Sequence, residues 1–413
     1  MGTFHSDSRE SMGTVLFGSL VGFEIKKMFL NKITITMLIL CMGFLFGFTM
    51  LRYLVLSPED RFASAKEIEI NGRVLDDELI GEIVKSAKDA GGLSSITPDS
   101  QYYYVARYLN KAVGNSFSND DLGELSEESF YKARAEFLES MYDLFGLSEE
   151  EKKYWEEKES GVNKPFVWET NFGVSSMRAN YMAIMALVAI ILAGGLAGTF
   201  AAEKYYRTED LIISTKAGKH EIALAKILAG ELFSVIVSLL MLISVQLPHV
   251  IFNGFDGLKA SCQIIIPNTS HEFSAGILLL ILTGVYILGA MLVGAAAMLF
   301  SCVTKNIIAS AGVVCFAVVL DLFLSVPSKY RVLSQIRYLT PIQVLNNASM
   351  TDPRLVKVGS VFLTSYQTAA IGYVLLMLLL CLGTYRYYVS PATRGLWLVT
   401  KKESKRTVPT DSF

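Results

Sequence analysis

Few residues in this chain could do chemistry, and their spacing is poor for it. Four histidines, His5, His220, His249 and His271, are scattered along 413 residues. His249 and His271 flank one loop, but two ligands at an undefined distance make a poor metal site. The cysteines (Cys41, Cys262, Cys302, Cys315, Cys381) are odd in number and mostly lie in apolar runs. They read as small buried hydrophobes rather than a disulfide framework. There is no Gly-x-x-x-x-Gly-Lys-Ser/Thr loop for phosphate, no His-Glu-x-x-His, no Cys-x-x-Cys and no nucleophile-elbow serine. The run Gly194-Gly195-Leu196-Ala197-Gly198 has no lysine after it and reads as a surface for close helix packing. The chain is therefore expected to be no enzyme and to carry no cofactor of its own. With 37 basic and 39 acidic residues it has no overall basic field, so no nucleic-acid partner is expected.

The acids that stand out are Glu231 and Asp321, because each interrupts an otherwise uncharged apolar run. A charge at a bilayer centre costs roughly 2.5–3.5 kcal/mol on insertion scales. Glu231 is placed about one turn inside one end of its run, and Asp321 toward an end of its own. Two readings stand side by side. Either both acids reach interfacial water or a neighbouring hydroxyl, or they face a translocation path or a dimer seam.

The elements that must position these residues are membrane helices. The composition is 52% hydrophobic and only 18% charged, and the apolar residues are concentrated. A bilayer core of about 30 Å takes roughly 20 helical residues. Six runs qualify: 33–51, 179–202, 227–248, 273–304, 306–328 and 358–385. The first is read as a retained anchor, since its preceding segment is long and no small-x-small cleavage pattern follows. The expected fold is an all-α polytopic membrane protein. With both termini inside, the short inner segments hold 16 Lys and Arg against 6 in the outer loops 252–275 and 327–366. The positive-inside rule therefore makes both termini cytoplasmic. The tail 1–32, the loop 203–226 and the tail 386–413 are then inner, while 52–178 and the loops 249–272 and 329–357 are outer. The location expected is the plasma membrane.

Residues 52–178 carry 25 acids and 15 bases, a net charge of -10. They read as a mainly helical extracellular domain. Phe130, Ala133, Phe137, Leu138, Met141, Leu144 and Phe145 follow helical spacing, which buries one face. Ser148-Glu149-Glu150-Glu151 predicts a capping box opening a helix to about Glu159. Asp99 precedes a second candidate over 100–113. Gly91-Gly92 and 115–121 read as loops. The acidity is either a solvated face or a surface for a cationic ligand. In the loop 327–366, Tyr330, Tyr338 and Tyr366 suit headgroup level, as do Tyr385, Tyr387 and Tyr388 on the inner side.

The most informative segment is the inner loop 203–226. It is polar at both ends and apolar at its centre, Leu211-Ile212-Ile213. Gly218 is expected to end a short amphipathic helix, with Lys219 and His220 at its C-terminal end. Such a helix can press an apolar patch into a groove on another protein.

Here the sequence resembles a family. Ala201-Ala202-Glu203, Arg207-Thr208-Glu209, Leu211-Ile212-Ile213-Ser214, Gly218-Lys219-His220-Glu221-Ile222 and Lys226 look like permeases of the ABC-2 export class. Gly22-Phe23-Glu24-Ile25-Lys26-Lys27-Met28-Phe29 resembles the amphipathic elbow helix that precedes their first span. Six spans with a large external insertion after the first are similar to many permeases of Gram-positive bacteria. One departure is Arg207-Thr208, where members often carry Gly-Thr. The resemblance implies that 203–226 is a coupling helix docking on a separate ATPase subunit, which binds the ATP and Mg. It assigns that role to Glu203, Arg207, Glu209, Leu211, Ile212, Ile213, Ser214, Lys219, Glu221 and Lys226. It also implies a second permease subunit, a lipid environment, and export of an amphipathic cargo such as a peptide or lipid. Two other readings use the same features: a sensor that relays a signal without transport, and a stand-alone secondary carrier. The carrier would want paired acids deep in the bundle, which the sequence lacks.

Overall fold

A computed structural model describes residues 4–56, 66–115, 121–208 and 218–390. It is a helical protein in two parts, a bundle of apolar helices and a polar domain inserted between its second helix and the rest. Helix α1 (Phe4–Phe29) and α2 (Lys32–Leu51) come first, and α2 runs into one π-turn, Arg52–Leu56. The polar domain holds α3 (Asp77–Ala90), α4 (Tyr103–Ala112), α5 (Glu127–Leu144) and α6 (Glu149–Ser160). The chain returns through α7 (Phe172–Ala179), α8 (Tyr181–Leu196) and α9 (Gly198–Tyr205). The remainder is α10 (Gly218–Asn253), α11 (Ala275–Thr304), α12 (Ile307–Phe323), α13 (Arg331–Tyr338) and α14 (Ser365–Val389).

Among the described residues five helical stretches are long and apolar enough to cross a membrane: Lys32–Val55, Phe172–Tyr205, Lys219–Asn253, Ala275–Thr304 and Ser365–Val389. The run 306–328 forms the shorter apolar helix Ile307–Phe323. It stops ahead of Pro327, whose ring restricts the preceding backbone and whose nitrogen has no proton to donate. The run 358–385 also begins later than its apolarity suggests. Val356–Val358 and Val361–Leu363 pair as an antiparallel hairpin, turning at Gly359 with φ +63°. Only then does α14 start, behind a capping box between Thr364 and Gln367. Helix α10 continues through Pro248 to Asn253, beyond the expected end of its span.

Helix α11 is the hub, packed against α8, α10, α12 and α14. Small residues let the backbones approach. An atom at the Cβ position of Gly195 in α8 would stand 3.0 Å from the Phe233 ring of α10 and 3.2 Å from Thr34 of α2. The glycine run is thus a three-helix contact. Leucine, isoleucine and phenylalanine on the outer faces of α2, α10, α12 and α14 are exposed, among them Phe44, Ile243, Phe316 and Leu379. Apolar surface on that scale is at home in lipid, not water.

The polar domain has its own core, with Ile80, Ile83, Val105, Leu109, Phe130 and Trp168 buried. Helix α3 starts on an Asp76 side chain that accepts from the Leu79 N–H at 3.0 Å and ends at Gly91 with φ +84°. Helix α6 opens on the expected box, Ser148 with Glu151. In α5, Phe130 and Leu138 are buried, but Leu144 is 80% exposed. It is the last residue of the helix, and the chain turns away at Gly146, φ +62°. The entering and leaving segments are stitched together by an isolated antiparallel bridge, Val74 with Val167: Leu75 N–H donates to Phe166 O and Trp168 N–H to Arg73 O, each at 2.7 Å.

The domain also grips the chain between α12 and α14. Glu151 is the hub of this joint. It accepts from Ser148 N at 2.9 Å, Leu355 N at 3.0 Å and Arg331 Nη2 at 2.5 Å. Trp155 Nε1 donates to Pro353 O at 2.6 Å, and Lys357 pairs with Glu150. Burial alone would raise the Glu151 carboxyl, but Arg331 and the two backbone N–H groups outweigh it and hold the pKa below its ordinary value.

Glu67, where the domain begins, is the opposite case. It is 1% exposed. One oxygen accepts from Asn171 Nδ2 at 3.4 Å and the other has no hydrogen-bond partner among the described residues. Burial pushes its pKa up to about 8 from 4.5. A raised pKa keeps the folded form protonated across that window, so stability is full below about 4.5 and is lost as pH rises through 8. The loss is on the order of 1.4 kcal/mol per pH unit inside the window. Glu67→Gln is therefore expected to melt with the wild type at pH 5 and well above it at pH 9. Parallel melting profiles across that range would contradict this.

Candidate functional site

Sequence points to the ends of α9 and α10, at the end of the bundle away from the polar domain. Of the residues assigned there, Glu209, Leu211, Ile212, Ile213 and Ser214 lie outside the described residues. The flanks are described, and they depart from expectation in two ways.

Gly218 opens α10, and Lys219 and His220 stand in its first turn rather than at a C-terminal end. The short helix expected before Gly218 falls on 209–217, outside the described residues. The residues that follow, Glu221-Ile222-Ala223-Leu224-Ala225-Lys226, favour helix throughout and lead without a break into the apolar run. Glu221 in that first turn suits the positive end of the helix.

Glu203 and Lys226 do not face outward to a partner. They are 4% and 1% exposed and form an ion pair with each other. Such a pair inside apolar surroundings survives only if its remaining polar atoms are satisfied. Here Lys226 Nζ also donates to Thr199 O at 2.6 Å and lies 5.4 Å from the Phe200 ring centre. Tyr388 of α14 donates its hydroxyl to Glu203 Oε2 at 2.8 Å. Phe200 and Tyr388 pack with ring centres 5.1 Å apart. One buried joint thus ties α9, α10 and α14 together at both ends of the segment between them.

A second device lies one turn deeper. The helix breaks at Ala197, between α8 and α9. Ser301 of α11, fully buried, repairs the break. Its Oγ donates to Ala197 O at 2.6 Å and accepts from Phe200 N at 3.1 Å and Ala201 N at 3.0 Å. The exit of α9 is fixed as well: Thr208 N–H donates to Glu203 O at 2.9 Å, and Arg207 takes φ +56°. Arg207 and Glu221 are exposed, and so are Tyr205 and Tyr206. Lys219 is half-buried, its ammonium 5.6 Å from the Tyr388 ring centre. Beside the joint, Leu20 and Phe23 of α1 face Ile222 and Thr208 across a cavity of about 240 Å³.

Sequence reasoning missed Thr199, Ser301 and Tyr388. Tyr388 was assigned to headgroup level with Tyr385, yet its hydroxyl serves Glu203, while Tyr385 OH meets His220 Nδ1 at 2.8 Å. A tyrosine whose distance from a buried carboxylate spans 185 residues carries no local signal. The intramembrane acids are not brought together. Asp321 accepts from Thr340 Oγ1 at 2.9 Å, the neighbouring-hydroxyl reading. Among the described residues Glu231 accepts from Cys381 Sγ at 3.5 Å and its other oxygen has no hydrogen-bond partner. Among the described residues no three His, Cys, Asp or Glu side chains gather as metal ligands would.

Among the described residues the site is a buried joint with Tyr205, Tyr206, Arg207 and Glu221 exposed beside it. No family model, curated protein or solved structure matches the chain.

Proposed function

We propose that this chain is the membrane-spanning permease subunit of an ATP-binding-cassette exporter of the ABC-2 class. In this reading it crosses a bacterial plasma membrane six times, with α12 as the fifth crossing. Both termini and the loop 203–226 are cytoplasmic, and the polar domain is extracellular. Two permease subunits pair, and two ATPase subunits that hold ATP and Mg dock beneath them. The cargo is amphipathic, a peptide or a lipid, since a path between apolar helices offers few groups to hold an ion. The observation that carries the reading is the buried Glu203–Lys226–Tyr388 joint. A partner closing on the loop would push α9, α10 and α14 as one body, because both loop ends are locked to the same place. Arg207, Lys219 and Glu221 remain at its rim for contact.

The test is a pull-down from native membranes with the chain as bait. An ATPase bearing a phosphate loop is expected to be captured. Changing Leu211, Ile212 and Ile213 together to Asp is expected to abolish that capture while leaving the melting temperature of the chain alone. Capture that survives the triple change would contradict the docking role.

A second reading, a sensor relaying an external signal, draws on the joint at Glu151 and Trp155. Through it the polar domain holds the chain directly before α14, whose far end carries Tyr388. The two readings part on whether any cargo moves with ATP hydrolysis.

A further inference from the structure

Helix α13 (Arg331–Tyr338) has two faces with different neighbours. The buried face belongs to the joint with the polar domain. Arg331 pairs with Glu151 and donates to Gly146 O at 2.7 Å. Ser334 is 2% exposed and accepts from Arg354 Nη1 at 2.7 Å, while Arg354 pairs with Asp352. The opposite face carries Val332, Leu333 and Ile336, which are 70%, 57% and 58% exposed. These three share one side of a helix. Among the described residues nothing covers them.

The place of this face in the fold says what covers it. Helix α12 exposes Phe316, Val319, Leu320 and Phe323, an apolar side that belongs in lipid. Arg337, in the last turn of α13, donates its Nε to Leu324 O, directly beyond the end of α12. Helix α13 is thus tied to the end of a lipid-facing helix, on the side of the polar domain. Between Asp321 and Asp352 the chain carries Lys329, Arg331 and Arg337 and no acid. Lys329 and Arg337 lie 5.1 and 5.8 Å from the ring centres of Tyr330 and Tyr338. Bases and tyrosines around an apolar face are the make-up of a helix lying in a membrane interface. We propose that α13 lies in the leaflet on the polar-domain side and seats the polar domain on it. Val332, Leu333 and Ile336 meet the upper acyl chains, Lys329 and Arg337 meet headgroup phosphates, and Arg331 and Ser334 hold the joint above. A free helix of this length would bind lipid weakly, but α12 already holds this one at the surface, so little freedom is lost on contact. The proposal rests on the lipid-facing sides of the bundle and on no ATPase.

The test uses the full chain in lipid nanodiscs, its own five cysteines replaced, with a nitroxide on a single new cysteine, Leu333→Cys. Two reference sites are Leu379→Cys on the exposed side of α14 and Lys85→Cys on the polar domain. Oxygen is expected to relax the label at 333 more than a water-soluble nickel complex does, as at 379, with the reverse at 85. Nickel dominance at 333 would place the face in water. A label at 333 shielded from both would place it against a second copy or another protein. Either result overturns the proposal. The wild-type chain gives a second measurement that no variant can spoil. Phosphatidylcholine with a photoreactive group high in its acyl chain is expected to label the peptide 329–338. Labelling of α14 without that peptide would overturn the proposal. The seating of the polar domain is read by L333Q/I336Q in nanodiscs. Amide exchange over 351–357 is expected to become several-fold faster while α3 exchanges as in the wild type. Exchange over 351–357 equal to that of the wild type would overturn the seating.

Discussion

Lys226→Met is expected to be the most damaging single change in the bundle, lowering stability by roughly 3–5 kcal/mol. The loss is not that of a surface ion pair, because Lys226 and Glu203 are both buried. Removing the ammonium leaves the Glu203 carboxylate with only the Tyr388 hydroxyl and strands Thr199 O without its donor. An uncompensated buried charge is the costly species, so Glu203→Gln alone should also destabilise. The double variant E203Q/K226M removes both charges and is expected to recover much of the loss. Thermal unfolding of the chain in nanodiscs reads all three. Additive losses in the double variant would show that the two side chains do not act as a unit. Tyr388→Phe, which removes one hydrogen bond to a charged acceptor, should cost less, about 1.5–3 kcal/mol.

Glu151→Ala is expected to release the polar domain from the chain before α14. The carboxylate holds two backbone N–H groups and one guanidinium. Hydrogen bonds to a charged group contribute roughly 1.5–3 kcal/mol each, and Arg331 still keeps Gly146 O. A net loss of about 3 kcal/mol follows, together with faster amide exchange over 351–363. The sign of the pH effect is set by the lowered pKa of Glu151. A depressed carboxyl contributes stability above its unfolded value, and that contribution is lost as pH falls through its folded value. The wild type should therefore lose this joint in acid, and the alanine variant should show a flatter acid limb. Exchange over 351–363 that is unchanged in Glu151→Ala would contradict the joint.

How much of this was legible in the sequence depends on distance along the chain. The Ser148–Glu151 box was legible because both halves lie within one turn, and the apolar runs because burial in lipid needs a continuous stretch. What Glu151 does beyond its cap was not, since Leu355 lies 204 positions away. The burial of Glu203 and Lys226 was hidden for a related reason. Each sits at the polar edge of an apolar run, where a charge ordinarily reaches water, and only the antiparallel return of α10 beside α9 brings them together. Lys219 and His220 were expected at a helix end because glycine ends many helices, whereas the residues after Gly218 favour helix and place both in α10. The hairpin at Val356–Leu363 escaped because its valines and phenylalanine are as apolar as a span, and only Gly359 marked a turn.

In the proposed function the loop after α9 is the handle of a separate ATP-driven engine on the inner face. A single cysteine at position 212, in a chain whose own five cysteines are replaced by alanine or serine, tests it. In intact cells that cysteine is expected to be silent to a membrane-impermeant maleimide. In inverted vesicles it is expected to cross-link to an ATPase subunit, with a yield that changes on adding ATP. Labelling of intact cells from outside, or a chain that moves cargo with no ATPase present, would contradict the account.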